Sequence, residues 1–211
     1  MSAEDLVHRL RKRAEIRRQI STRKSVQEGK PDRLADLLEE AAEALAPTTV
    51  LKKHLFLDLE DTIITPVLNG WFNTHLINVQ KVRSVIQDFA PDEVHVFSFA
   101  IWNQFELNAF NLGTREMIER SLGIKFTSVP TVDDVIIPAC CAVHGLQPVD
   151  FQEMSNFWGK HEAFRLSMRH LFANTAGVEV MLLDDVVLNE TFEWPDLKIK
   201  GRIVNIDKLE I

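Results

Sequence analysis

The chain has 211 residues, 45% of them hydrophobic and 26% charged, which suits one ordinary globular domain with room for an appendage. No apolar run approaches a membrane span, and the first residues are too charged for a secretory signal. The net charge of −7 is uneven: residues 1–31 carry nine Lys/Arg against four Asp/Glu, a sum of +5 that leaves −12 for the remainder.

Residues 3–20 place Leu6, Leu10, Ile16 and Ile20 among basic side chains, the pattern of an amphipathic helix. A connector with Gly29 and Pro31 follows. Asp32 is placed to cap a second helix, "RLADLLEEAAEALA", whose Leu34, Leu37, Leu38, Ala41 and Leu45 recur at helical spacing, with Pro47 as its stop. These two helices make an arm, residues 1–47, that is either a hairpin or a homodimerisation element. As a basic cluster it would also attract nucleic acid in a salt-sensitive way, although it lacks the interleaved aromatics that stack on bases.

From residue 48 to 211 the pattern alternates between strands and helices. "HLFLDL" (54–59) reads as a buried strand, 78–89 as a helix and "EVHVFSF" (93–99) as a second strand. "TREMIERSLG" is a helix stopped by Gly123, and "KFTSV" a short strand. Residues 132–145 form a helix disturbed by Pro138, and 159–175 a strong helix. "VEVMLLDD" (178–185) is an apolar strand ending in two aspartates, and "GRIVNID" (201–207) the last strand. Apolar strands separated by helices predict an α/β fold, a Rossmann-like parallel sheet covered on both faces. Cys140 and Cys141 are adjacent, which excludes an ordinary disulfide framework and points to a reducing, cytoplasmic setting with both thiols as small core residues. His161 and His170 lack ligand spacing and read as ordinary helix residues.

Ligands of such sheets bind at the carboxyl ends of the strands. Those ends carry Asp58, Ser98 and the pair Asp184/Asp185, and the helix before the last of these starts near Lys160. Carboxylates, a hydroxyl and a lysine on one edge suit a divalent cation together with a phosphoryl group.

At these residues the chain resembles the haloacid dehalogenase (HAD) superfamily of phosphohydrolases. "LFLDLEDTI", "VHVFS", "FWGKHEAF" and "VMLLDD" stand in the order of that family's four motifs across residues 53–190. The resemblance implies a HAD core in which Asp58 is the nucleophile and forms an aspartyl-phosphate. It implies Mg²⁺ held by Asp58, the backbone carbonyl of Glu60, and Asp184 or Asp185. Ser98 and Lys160 would hold the phosphoryl oxygens, and Thr62 would support the turn. Glu60 takes the place of the family's acid/base aspartate and is longer by about 1.5 Å. Three readings stay open there: Glu60 is a repositioned acid/base, Asp61 compensates, or the site binds without turnover.

About forty residues separate Asp58 from Ser98, too few for a large cap. Residues 63–77 suit a small hairpin flap turning at Asn69-Gly70. Trp71 and Phe72 would either stack on a base or cover the sheet, and Trp102 and Asn103 either line the substrate site or pack. An open site suits a phosphomonoester on a nucleotide or a nucleic-acid end. The alternative is an inactive HAD-like protein that binds a phosphorylated ligand or a protein partner. The arm also looks like short helical segments of bacteriophage-encoded proteins, which implies a phage origin and a host-cytoplasmic location.

Overall fold

The computed structural model describes residues 3–45, 51–68, 70–147, 153, 156, 158–185 and 189–210. The chain forms two compact units, Met1–Val50 and Leu51–Ile211. No helix among the described residues is long and apolar enough to cross a membrane.

In the first unit, α1 (Ala3–Gln19) pairs with α3 (Arg33–Leu45), and a single turn, α2 (Lys24–Gln27), interrupts the expected connector. Asp32 caps α3, its Oδ1 accepting from the amides of Leu34 and Ala35 at 3.1 and 3.2 Å. The expected stop at Pro47 lies outside the described residues. The buried seam is small: Val7 and Ala14 of α1, Ala35 and Ala42 of α3. Ion pairs frame it, Arg18 to Asp36 and Glu39, and both Arg17 and Arg23 to Asp32. The two helices thus make a hairpin within one chain. Its second helix answers the charge of the first: residues 32–47 carry five Asp/Glu and one Arg, a sum of −4 that leaves residues 1–47 at +1.

The second unit is an α/β domain with a Rossmann-like sheet. Its strands are β1 (Lys52–Leu57), β2 (Glu93–Val96), β3 (Phe126–Ser128), β4 (Val178–Asp184), β5 (Glu190–Trp194) and β6 (Ile199–Asn205). They lie in the order β3-β2-β1-β4-β6-β5, all parallel except β5, which runs antiparallel to β6 at one edge. The helices are α4 (Val79–Phe89), α5 (Gln104–Asn111), α6 (Thr114–Leu122), α7 (Ile137–His144) and α8 (Gly159–Leu171).

Side chains alternate across the sheet, so each strand feeds two cores. Leu55 and Leu57 of β1 join Val94, Val96, Met181 and Leu183 on the face covered by Val82 and Phe89 of α4 and Ile118 of α6. Phe56 joins Phe97, Val180 and Leu182 on the face covered by Cys140 and Cys141 of α7 and Phe164 of α8. Both cysteines are free and buried, and burial pushes the Cys140 thiol up to about 11, so they serve as small core residues.

Several elements depart from expectation. Helix α5 has poor periodicity, since Phe105 and Leu112 are exposed and only Phe110 is buried; its start is set by Asn103, which caps it. Strand β5 buries only Phe192, so its sequence carries no strong strand signal. The expected strand 93–99 ends at Val96, and α8 ends at Leu171 rather than at residue 175. Around Pro138 the expected disturbance takes the form of a π-turn, Val132–Ile136, leading into α7.

Gly201 of β6 faces Phe192 across the β5–β6 ladder, and a Cβ at that position would overlap the phenyl ring. The ring has little freedom, because it is buried and packs edge-on to Phe164, with Arg165 over its face. Gly201→Ala is therefore expected to cost about 1–3 kcal/mol through overpacking. Urea unfolding checks this; an unchanged midpoint would show that the ring moves aside freely.

Candidate active site

The strand order reverses beside β1. The chain proceeds from β1 outward to β2 and β3, then returns to place β4 on the other side of β1. At such a switch point the loops after the two central strands part and leave a crevice. The register pairs Leu57 with Leu183, and the Asp58 amide continues the ladder to the Leu183 carbonyl at 3.0 Å. Asp58 and Asp184 therefore stand side by side on neighbouring strands, both buried.

Lys160, in the first turn of α8, reaches between them. Its Nζ lies 2.7 Å from Asp58 Oδ1 and 2.7 Å from Asp184 Oδ2. Gly159 starts the helix at φ +60°, in the left-handed region that favours glycine, and Ala163 and Phe164 one turn on anchor α8 in the core. Burial alone would favour a neutral amine. The charges of Asp58 and Asp184 outweigh it and raise the Lys160 pKa, so the side chain is an ammonium.

Thr62 and Ser98 complete the floor. Thr62 Oγ1 is 3.3 Å from Asp58 Oδ2 and 3.5 Å from Asp185 Oδ1, and the buried Ser98 beside Asp58 favours its ionised form. Asp58, Asp184 and Asp185 offer oxygens that all lie within 4.8 Å of one another. Burial, then the neighbouring Asp184 and Asp58, push Asp185 up to about 6. Burial likewise raises Asp58, against the pull of Lys160. One ammonium does not balance three carboxylates, and oxygen donors in surplus are what a hard divalent cation takes.

Glu60 stands apart from this cluster. Its Oε1 accepts from the Val67 amide at 2.7 Å, which ties the carboxylate to the segment 63–77. That segment is an irregular flap: Ile64 bridges to Leu76, and the Thr65 and Ile77 amides donate to His75 and Ile63 carbonyls. Its expected turn residue Asn69 lies outside the described residues. Trp71 is buried, edge-on to Phe110, with Nε1 donating to Glu106, so it covers the core, while Phe72 is exposed. Asp61 is exposed, at φ +57°.

A cavity of about 320 Å³ opens beside Glu60, lined also by Val67, Ala100, Trp102, Asn103 and Glu106. Trp102 and Asn103 thus sit on its wall, but the Asn103 side-chain Oδ1 is engaged with the Phe105 and Glu106 amides as a helix cap.

Two asparagines support the site without having been expected there. Asn205, at the end of β6, donates to the Asp185 carbonyl at 2.8 Å, and Asn78 donates to the Asp61 and Thr62 carbonyls. A polar residue ending the last strand is the one signal that pointed to Asn205; nothing local distinguishes Asn78.

Comparison of the chain with protein-family models, with curated proteins and with solved structures finds no match.

The lysine bridge makes a first expectation here. Lys160→Met leaves two buried carboxylates facing each other, and breaking a buried pair costs about 3–5 kcal/mol. Denaturant unfolding at neutral pH reads this, and a loss under 1 kcal/mol would mean that the carboxylates do not need the ammonium.

A second concerns pH. A carboxyl raised in the folded state binds its proton more tightly there than in the unfolded chain, so its contribution to stability falls as pH rises through the folded value. In buffer free of divalent cations, Asp185 is expected to contribute a decline in stability from pH about 4 to about 6, the value to which it is raised, set against the rise that the buried neutral His95 contributes over the same window. Asp185→Asn should flatten that decline. A stability difference, wild type minus Asp185→Asn, that rises across this window would contradict the assigned shift.

Proposed function

We propose that the chain is a Mg²⁺-dependent phosphohydrolase with a HAD-like core, acting on a phosphomonoester through Asp58. The observation that carries this is the Lys160 ammonium held 2.7 Å from both Asp58 and Asp184 at the switch point, with Ser98, Thr62 and Asp185 around them. A buried ion pair flanked in a crevice by a further carboxyl with a raised pKa is a candidate functional site. The donor set also fits the ion: Asp58 Oδ2 and Asp185 Oδ1 flank Thr62 Oγ1, while Asp58 Oδ1 meets Lys160. Mg²⁺ bound there would neutralise charge on the phosphoryl group and on Asp58.

In the reaction, a carboxylate oxygen of Asp58 forms a bond to phosphorus while the bond to the leaving oxygen breaks. Glu60 gives that oxygen its proton. Water then attacks phosphorus, Glu60 takes the proton, and the bond from phosphorus to Asp58 breaks to release phosphate. Lys160 and Ser98 hold the phosphoryl oxygens and keep the group in line. As a repositioned acid/base, Glu60 keeps Oε1 on the Val67 amide and would turn Oε2 toward the leaving oxygen. The favoured substrate is a nucleotide or a nucleic-acid terminal phosphate, with Trp102 on the cavity wall as a face for a base. The hairpin is then an accessory arm for substrate capture or for pairing of two copies.

The second reading, a phosphoryl-binding protein without turnover, is favoured by the same tether: an acid/base fixed to the flap, away from Asp58, would not reach the leaving oxygen.

The test is phosphate release from nucleotides and end-phosphorylated oligonucleotides, with and without millimolar Mg²⁺. Asp58→Asn is expected to abolish release, and Glu60→Gln to slow it by about 10²–10⁴-fold, the usual worth of a positioned acid/base. Mg²⁺ should raise the melting temperature of the wild type and not of an Asp58→Asn/Asp185→Asn double variant. Full activity in Asp58→Asn would refute the mechanism. Binding of Mg²⁺ and a phosphorylated ligand with no release would select the second reading.

A further inference from the structure

A second cluster of ligand-type side chains lies on β1 and β2, away from the carboxylates. His54 is four residues before Asp58 on the same strand, about 13 Å at the rise of a β-strand. It faces the core that holds Phe56 and Phe97, and the register sets it directly opposite Glu93, the first residue of β2. His95, two residues further along β2, emerges on the same face. Both histidines are buried and Glu93 is partly exposed.

The separations are specific. His54 Nδ1 and His95 Nε2 are 3.0 Å apart, and Glu93 Oε2 lies 3.4 Å from the first and 3.5 Å from the second. Nitrogen and oxygen ligands arranged tetrahedrally about Zn²⁺ at 2.0–2.1 Å stand about 3.3 Å from one another. The three atoms thus form one face of such a tetrahedron to within a few tenths of an ångström.

We propose that His54 Nδ1, His95 Nε2 and Glu93 Oε2 form a three-ligand site for a divalent transition metal of the zinc type, separate from the carboxylate cluster at the strand ends.

The surroundings prepare each ligand. Ser128 Oγ lies 2.8 Å from His95 Nδ1; accepting a hydrogen bond from Nδ1–H, it fixes the tautomer whose Nε2 lone pair faces the cluster. The His95 ring stacks on Phe56 at 4.7 Å between centroids, and the His54 ring leans on Phe172 at 4.7 Å, which limits rotation of both. Lys52 binds Glu93 Oε1 and leaves Oε2 toward the histidines. Its ammonium opposes a nearby cation, but the side chain is half exposed, so water screens it.

The protonation states agree. Burial, reinforced by His54, pushes His95 down to about 4, burial lowers His54, and Lys52 lowers Glu93. At neutral pH the cluster therefore presents two neutral imidazoles and one carboxylate, the forms that bind metal. Two imidazoles and one carboxylate suit Zn²⁺ and its neighbours, whereas Mg²⁺ takes oxygen ligands and water. Without metal, the 3.0 Å contact is an N–H···N hydrogen bond. On binding, the His54 proton moves to Nε2 through solvent, and the nitrogens separate by a few tenths of an ångström.

The experiment titrates the full-length protein with Zn²⁺ against a chromophoric chelator, in millimolar Mg²⁺ to fill the carboxylate site. The wild type and an Asp58→Asn/Asp185→Asn variant are both expected to bind one Zn²⁺ per chain. Ser128→Ala should weaken binding by about 10–100-fold, as loss of an outer partner does, and Glu93→Ala and His95→Gln by more. Glu93 is partly exposed, so Glu93→Ala keeps the fold, which circular dichroism verifies. With Co²⁺ in place of Zn²⁺, the visible absorption of a tetrahedral site should appear in the wild type and vanish in Glu93→Ala. Absence of Zn²⁺ binding by the wild type would overturn the proposal. So would Zn²⁺ retained in full by a folded Glu93→Ala protein, or lost from the Asp58→Asn/Asp185→Asn variant.

Discussion

Two adjacent parallel strands that both end in buried carboxylates pose an electrostatic problem that the domain answers with one ammonium. Neighbouring strands lie about 4.8 Å apart, so Asp58 and Asp184 cannot both remain ionised in a low-dielectric crevice without a cation between them. Lys160 supplies it at 2.7 Å from each. The consequence reaches well beyond the site. Lys160 must come from a helix whose N-terminus overhangs the strand ends, and α8 is held there by Ala163, Phe164, Leu166 and Met168 in the core under the sheet. The packing of one face of the sheet therefore sets the charge balance at its edge.

The opposite face contributes differently. Leu57, Leu59, Ile63 and Ile64 are fully buried, so the chain on both sides of Asp58 is pinned to the core of α4 and α6. This leaves Asp58, Glu60 and Asp61 on a short, tightly held turn whose carbonyls are gripped by Asn78. A site built on such a turn keeps its groups in place without further ordering. Glu60 extends from that turn to the flap, and the flap is fixed in turn by Trp71, which is buried against Phe110. The proposed acid/base and the wall of the neighbouring cavity are thus parts of one packed unit.

Strand β1 carries opposite chemistries along its length. Toward its start, burial keeps His54 and His95 neutral, and they are satisfied by each other, by Glu93 and by Ser128. Past its end, burial raises Asp58 and Asp185, and Lys160 offsets only part of the negative charge. Burial disfavours the charged form in both places. In the proposed readings it leaves the imidazoles to a zinc-type cation and the carboxylates to a hard one.

The sequence by itself determined the features that rest on local rules. Apolar runs bounded by turn residues gave β1, β4 and the helices α1, α3, α4, α6 and α8, because burial of a strand or a helix stripe leaves a period in the chain. It also placed Asp58, Ser98, Lys160, Asp184 and Asp185 at element ends, which in a parallel sheet is enough to bring them to one edge. Elements whose stability comes from a neighbour were not legible: α5 starts from the Asn103 cap with little apolar stripe, and β5 exists by pairing with β6. The tertiary structure alone decided that Glu60 turns to the Val67 amide, that Asn205 and Asn78 hold the loop carbonyls, and that α3 answers the charge of α1. It alone brought His54 within 3.0 Å of His95, forty-one residues away. A side chain's partner across a sheet is fixed by register, and register follows from the whole core rather than from any stretch of sequence.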